Sequence, residues 1–332
     1  MTVDAHAVDA AHRRVAPHLE STPLLVSGPL SDRSGATIAI QSEHLQRTGS
    51  FKFRGALNRV LTLDDDRRAA GIVTASSGNH GIATATAAQI AGTTCTVFLP
   101  DGASAAKVAV IERCGATIET ISSVDSGAAE LAARRAAERS GATYVSPYND
   151  PEVVAGQGTI AIDLADNVAH SGLASVDVVV ASVGGGGLIS GIATWLAERF
   201  PDITIVGASP LNDRAMAASI EAGTVVAPES QPTFSDGTAG SIEPDTITFD
   251  LCRDLVDTWI DVTETEIAHA VTDMIEHHHQ VVEGAAGVAI AAARRIARRQ
   301  PGSTIVAVSC GANVTASTLR RMIETTESEE TP

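Results

Sequence analysis

Only two lysines occur in this chain, Lys52 and Lys107, although it carries 23 basic side chains in all. Lys52 lies between two phenylalanines in the segment Gly49-Ser50-Phe51-Lys52-Phe53-Arg54-Gly55-Ala56. Arginine stays protonated at any working pH, whereas a lysine in apolar surroundings can lose its proton and attack a carbonyl as a free amine. Lys52 is therefore the first candidate for a covalent catalytic residue of the kind that forms a Schiff base. Lys107 reads as a surface charge.

Two further segments carry chemistry. The run Gly184-Gly185-Gly186-Gly187-Leu188 follows a valine-rich stretch and precedes a helical pattern. Its backbone N–H groups can converge on a phosphate at a helix N-terminus. The same glycines would also serve a tight strand-to-helix turn. No Lys-Ser/Thr follows, which excludes a Walker loop, and the next strand ends at Ser209 without a ribose-binding acid, which fits a dinucleotide fold poorly. The second segment, Ser76-Ser77-Gly78-Asn79-His80-Gly81, offers hydroxyls, an amide and backbone N–H groups at another helix start. It can receive a carboxylate, or act as an ordinary helix cap. A lone lysine, a phosphate cradle and a carboxylate cradle are together what a phosphorylated aldehyde and an amino acid would need.

The elements that must position these groups follow from periodicity. From residue 72 short β-rich runs alternate with amphipathic stretches: strands at 72–75, 95–99, 117–120 and 143–145, with helices at 79–91, 104–114 and 126–140. A second cycle has a helix over 152–169, strands over 176–183, 204–207 and 259–262, helices opening at the glycine run, near 213 and at Glu264, and a last strand over 304–309. This rhythm predicts an α/β protein of two three-layer units with mostly parallel sheets and a cleft between them. The polar tail, from Glu324 or so to Pro332, reads as frayed.

Composition narrows the partners. The chain has 332 residues, 44% of them apolar, and a formal charge of −17, which argues against nucleic acid and anionic membranes. The four cysteines, Cys95, Cys114, Cys252 and Cys310, lack paired spacing and suit a reducing compartment. With no signal segment or membrane-length apolar run, the expectation is a soluble cytoplasmic protein.

The lysine segment Glu43 to Lys52, the serine-asparagine segment, Ala155-Gly156-Gln157-Gly158-Thr159, the glycine run, Asp236-Gly237, Val282-Glu283-Gly284 and Ser309-Cys310-Gly311-Ala312-Asn313 stand here in a family's order. From Thr22 to Val314 the chain resembles the fold-type II enzymes that use pyridoxal 5′-phosphate (PLP), in particular the serine/threonine dehydratase and serine racemase group. The resemblance implies the tryptophan synthase β-like fold and a homodimer. It implies a large cofactor-binding domain of residues 1–48 and 149–325, a small mobile domain of 49–148, and a tail of 326–332. By the same resemblance Lys52 would carry PLP and move the α-proton, with Ser77 as the second acid/base on the opposite face. Phe51 would lie near the ring, Asn79 at the ring 3′-oxygen, and Cys310 beside the pyridine nitrogen. Gly184, Gly185, Gly186, Gly187 and Leu188 would take the phosphate, and Ser76, Ser77, Asn79 and His80 the substrate carboxylate.

The activity implied is elimination of water from L-threonine, L-serine or a close 3-hydroxy amino acid. Two rivals keep the cofactor: an amino-acid racemase, and a dehydratase of a specialised substrate such as one from hydroxyectoine breakdown. A nicotinamide dehydrogenase would leave Lys52 unexplained. Ser209 stands where several relatives place a metal-binding acid, and Asp213 compensates only in part, so a divalent metal is doubtful and no metal ligands are assigned. Ser126-Gly127-Ala128-Ala129 replaces an arginine that some relatives use for a second carboxylate, which disfavours a dicarboxylic substrate. His277, His278 and His279 point about 100° apart on a helix and read as solvated rather than ligating. Glu283 reads equally as a residue near the cofactor or as a helix cap.

Overall fold

A computed structural model describes residues 3–32, 35–103, 105–123 and 126–330; the side chains at 105–107, 126 and 328–330 are not described, so the Lys107 side chain lies outside the described part of the molecule. Ten strands form two sheets among the described residues: β1 (Leu24–Ser27), β2 (Thr37–Gln41), β3 (Ile72–Ala75), β4 (Cys95–Pro100), β5 (Thr117–Ile121), β6 (Thr143–Tyr144), β7 (Val178–Ser182), β8 (Thr204–Pro210), β9 (Thr258–Val262) and β10 (Thr304–Val308). The six-stranded sheet has the order β1-β2-β10-β7-β8-β9, and the four-stranded sheet β5-β4-β3-β6. All pairings are parallel except β1 with β2.

Sequence explains the centre of the larger sheet. Strand β7 is Val178-Val179-Val180-Ala181-Ser182, buried at every position, as a parallel strand covered on both faces must be. The helix Gly284–Arg299 lies on it, burying an alanine-rich stripe from Ala285 to Ala297 that lets helix and sheet approach closely. The smaller sheet is built around β3 and β4, with the helices Asn79–Ala91 and Ser126–Ser140 against it. The fold is thus α/β with parallel sheets, as the alternation predicts.

The N-terminal third supplies elements that the pattern alone does not reveal: the helix Ala5–Val15, the hairpin-like pair β1 and β2, and the helix Lys52–Leu61. The tail also differs from expectation. Over 324–330 the chain continues as a helix, Ala316–Glu330, packed on the helix Glu264–His278, and residues 331–332 lie outside the described residues. Met322 and Thr326 are buried there, four residues apart on one face, so a narrow apolar stripe holds a segment whose average composition is polar.

Candidate active site

The loops that follow β3, β6, β7 and β10 meet at the carboxyl ends of their strands, where open α/β sheets place ligands. They enclose a cavity of about 400 Å³. Every sequence-predicted site residue lines it: Phe51, Lys52, Ser76, Ser77, Asn79, His80, Gly184 to Leu188 and Cys310.

Lys52 opens the helix Lys52–Leu61, and the preceding turn is pinned to the distant end of the chain. Ser50 and Gly311 form an antiparallel bridge, and the Phe51 N–H donates to the Cys310 carbonyl at 3.0 Å. The Lys52 ammonium donates to the Pro147 carbonyl at 2.9 Å and lies 5.1 Å from the centroid of the Phe51 ring. Burial disfavours its charged form and lowers its pKa to about 8, against the opposing pull of Cys310 and Glu283. Lys52 is therefore free amine far more often near neutral pH than an exposed lysine would be.

The helix itself is anchored two residues further on. Arg54 is fully buried, with Nε 2.7 Å from Glu43 Oε2 and a terminal nitrogen 2.8 Å from Glu43 Oε1; Glu43 is fully buried too. Asp163 at 2.7 Å, Thr22 at 3.1 Å and Thr159 at 3.2 Å complete its contacts, tying the lysine helix to the turn after β2 and to the helix Pro151–Ser171.

The glycine loop starts the helix Gly187–Arg199. Gly186 has φ +83°, and no side chain caps the helix. Among the described residues the backbone N–H groups of Gly184 to Leu188 donate to no protein acceptor, as expected of a first turn. A Cβ on Gly185 would lie 2.4 Å from the Tyr148 ring, and Thr248 Oγ1 holds the Gly185 carbonyl at 2.7 Å. Beneath the loop sits Cys252, whose thiol burial pushes up to about 12. Cys95 is likewise buried, and Cys114 is half-buried.

The Asn79 side chain is held between two partners. Its Nδ2 donates to both oxygens of Glu283, at 2.8 and 3.1 Å, and its Oδ1 accepts from Asn313 Nδ2 at 2.7 Å. Glu283 occupies the N-cap position of its helix yet makes no side-chain cap; it turns into the site instead. Ser182 Oγ donates to Cys310 Sγ at 3.5 Å, and burial beside Glu283 raises the Cys310 pKa so that the thiol stays neutral. His80 departs from its expected part. Its Nε2 faces the Val145 carbonyl at 3.0 Å, and burial lowers its pKa to about 3. A neutral ring that donates there has no second N–H, so His80 can donate to a substrate carboxylate only through its backbone.

Tyr148, Asn313 and Asp236 line the cavity without having been singled out as site residues. Tyr148 carried a signal, being one of two tyrosines in an aromatic-poor chain. The histidine run is only partly solvated: His277 is exposed, His278 Nε2 lies 2.9 Å from Ser27 Oγ, and His279 ends the helix with φ +56°. Ser209 is buried, and Asp213 Oδ2 accepts from Ser230 Oγ at 2.6 Å and the Gly240 N–H at 3.0 Å. Among the described residues no three His, Cys, Asp or Glu side chains gather as a metal site, and no helix is long and apolar enough to cross a membrane.

Residues 15–311 match the family described as pyridoxal-phosphate dependent enzyme. The chain belongs to this family. It is similar to an L-threonine ammonia-lyase of Thermotoga maritima, 36% identical over 316 residues that make up 95% of this chain and 77% of that protein. It is also similar to a serine racemase of Arabidopsis thaliana, 35% identical over 289 residues, 87% of this chain and 85% of that one. The structure of maize serine racemase superposes with a TM-score of 0.89 at 30% identity, covering 99% of both chains. The chain is thus a fold-type II PLP enzyme of the serine/threonine dehydratase and serine racemase group, and its cofactor is pyridoxal phosphate. The residues present fit that cofactor: an amine of lowered pKa and a ring of unclaimed amides where side chains would not fit stand at one cavity.

Proposed function

We propose that the protein is a PLP-dependent ammonia-lyase that removes water from an uncharged 3-hydroxy amino acid, with L-threonine and L-serine as first choices. The observation that carries this is the charge pattern of the cavity. Among its described lining residues Lys52 is the one cation, facing Asp236 and Glu283, while Phe98, Pro100 and Ala129 form a neutral wall. A substrate with a second carboxylate would find no spare positive partner among these residues.

In this reading Lys52 would hold PLP until the substrate amine displaces it and frees Nζ, and the cofactor would supply the electron-withdrawing ring that stabilises negative charge at the substrate α-carbon. The free amide groups of Gly184 to Leu188 and the dipole of their helix hold its phosphate. Ser76, Ser77 and the backbone N–H groups at the start of Asn79–Ala91 orient the substrate carboxylate. Lys52 Nζ takes the α-proton, the β-hydroxyl departs with a proton as water, and the enamine product hydrolyses to a 2-oxo acid and ammonia. Cys310, a neutral thiol, is a weak partner for the ring nitrogen and imposes no charge on it, which suits a reaction whose leaving group carries off the electron pair.

A racemase reading is favoured by the serine racemase relative and by Ser77, which lines the cavity with Lys52 and could return a proton from the other side. Purified enzyme incubated with L-serine and L-threonine separates the two. Release of 2-oxo acid in excess over D-amino acid is expected, and D-serine exceeding pyruvate would overturn the lyase reading.

A further inference from the structure

Asn79 can face the cavity in two ways, offering either its carbonyl or its NH2, and only the second can stabilise an anionic oxygen. The surrounding groups decide between them through a chain of acceptors that cannot donate. The Thr48 carbonyl accepts from Asn313 Nδ2 at 2.9 Å, which fixes which end of the Asn313 amide carries the nitrogen. The other hydrogen of that nitrogen then goes to Asn79 Oδ1, 2.7 Å away. The Asn79 carbonyl is thereby occupied, and its nitrogen falls against the Glu283 carboxylate at 2.8 and 3.1 Å. Glu283, only 2% exposed, also accepts the Asn313 backbone N–H at 3.1 Å. Its place is reserved by a missing side chain: a Cβ on Gly311 would lie 2.4 Å from Glu283 Oε1.

We propose that Glu283 and Asn313 are positioning residues that lock the Asn79 amide with one N–H aimed into the cavity, so that the site presents a hydrogen-bond donor to an anionic ring oxygen of the cofactor. Resting on the reading of this cavity as the PLP site, the inference adds that the polarity of that contact is imposed from behind. An amide has two donor hydrogens on one nitrogen; Glu283 takes one and leaves the other for the ligand. A glutamine at 283 would remove the imposed direction, since its own amide can present either end.

The test compares wild type, Glu283→Gln, Glu283→Asp and Asn313→Ala as purified holoenzymes and after removal of PLP. Three readouts apply: the absorption band of bound PLP and its pH titration, the PLP dissociation constant, and the melting temperature of the cofactor-free protein. Glu283→Gln should weaken PLP binding roughly tenfold, the scale of one charge-assisted hydrogen bond, and move the bound cofactor's absorption toward the near-ultraviolet. Glu283→Asp, which keeps an acceptor-only partner, should restore part of the band, and Asn313→Ala should act in the same direction as Glu283→Gln. Unchanged spectrum and affinity in both Glu283→Gln and Asn313→Ala would overturn the proposal. So would a change confined to the melting temperature, which would mark a purely structural role. A wild-type protein that binds no PLP would instead refute the cofactor site itself.

Discussion

Arg134, on the helix that leads into β6, donates to Glu243 Oε2 at 2.8 Å. The pair joins the smaller sheet's layer to the loop before the helix Ile247–Leu255, and its neighbours hold it in place. Arg134 also contacts Glu130 at 3.0 Å and stacks 4.3 Å from the Tyr144 ring centroid. Asn149 Nδ2 donates to the same Glu243 oxygen at 2.9 Å, and the Glu243 N–H donates to the hydroxyl of Tyr148, the residue packed on the glycine loop.

Breaking this latch should loosen the cleft without touching the chemistry. Arg134 is 36% exposed, so the pair is worth no more than about 1 kcal/mol. Arg134→Ala and Glu243→Gln should each raise KM two- to fivefold with little change in kcat, and the double variant should cost no more than either single one. Additive losses in such a double-mutant cycle would show that the two act independently. Burial raises the Glu243 pKa, so the ion pair should fail at a higher pH on acidification than an exposed pair would; KM should climb early on the acid side, and that climb should vanish in Glu243→Gln.

The buried pair of Arg54 and Glu43 calls for a different measurement. With both side chains fully buried, Arg54→Met leaves the Glu43 carboxylate without its cation, held only by the neutral donors Thr22 and Gln41, and should cost about 3–5 kcal/mol in urea denaturation. Adding Glu43→Gln should recover much of that loss. A single variant as stable as wild type would show that water reaches Glu43.

Cofactor loading should follow the titration of Lys52. Only the free amine attacks an aldehyde, and its pKa is lowered to about 8, so the rate at which the cofactor-free enzyme regains its visible band should rise with pH and level off above about 8. A rate still climbing steeply at pH 10 would mean that Lys52 is as basic as an exposed lysine. Lys52→Ala should lack both band and turnover.

Gly185→Ala should weaken PLP binding strongly if the loop holds the phosphate as proposed, because the added methyl would sit 2.4 Å from the Tyr148 ring and displace the loop. Tyr148→Ala in the same chain should restore part of the affinity measured by cofactor titration. No rescue would place the fault in the glycine's backbone rather than in the collision.

Much of this site was legible because its parts are local. The helix Asn79–Ala91 and the glycine loop each announce themselves within a few residues, with a strand before and a helix after. What stayed hidden depends on convergence over long distances. Nothing near Asn313 or Glu283 says that both will bracket the Asn79 amide. His80 was legible as a member of its loop, but the turn of its ring toward Val145 is decided by β6 packing beside it. In the fold, β1 has four residues, too few for a period to show, and the terminal helix is disguised by its glutamates and threonines.

Strand β10 stands in the middle of the larger sheet, between β2 and β7, and the loop behind it pins Ser50 and Phe51. On the ribosome, Lys52 and the glycine loop therefore emerge long before the strand that brings them together. A product truncated before Thr304 would leave the turn before Lys52 unpinned and an unpaired sheet centre exposed to aggregation and degradation.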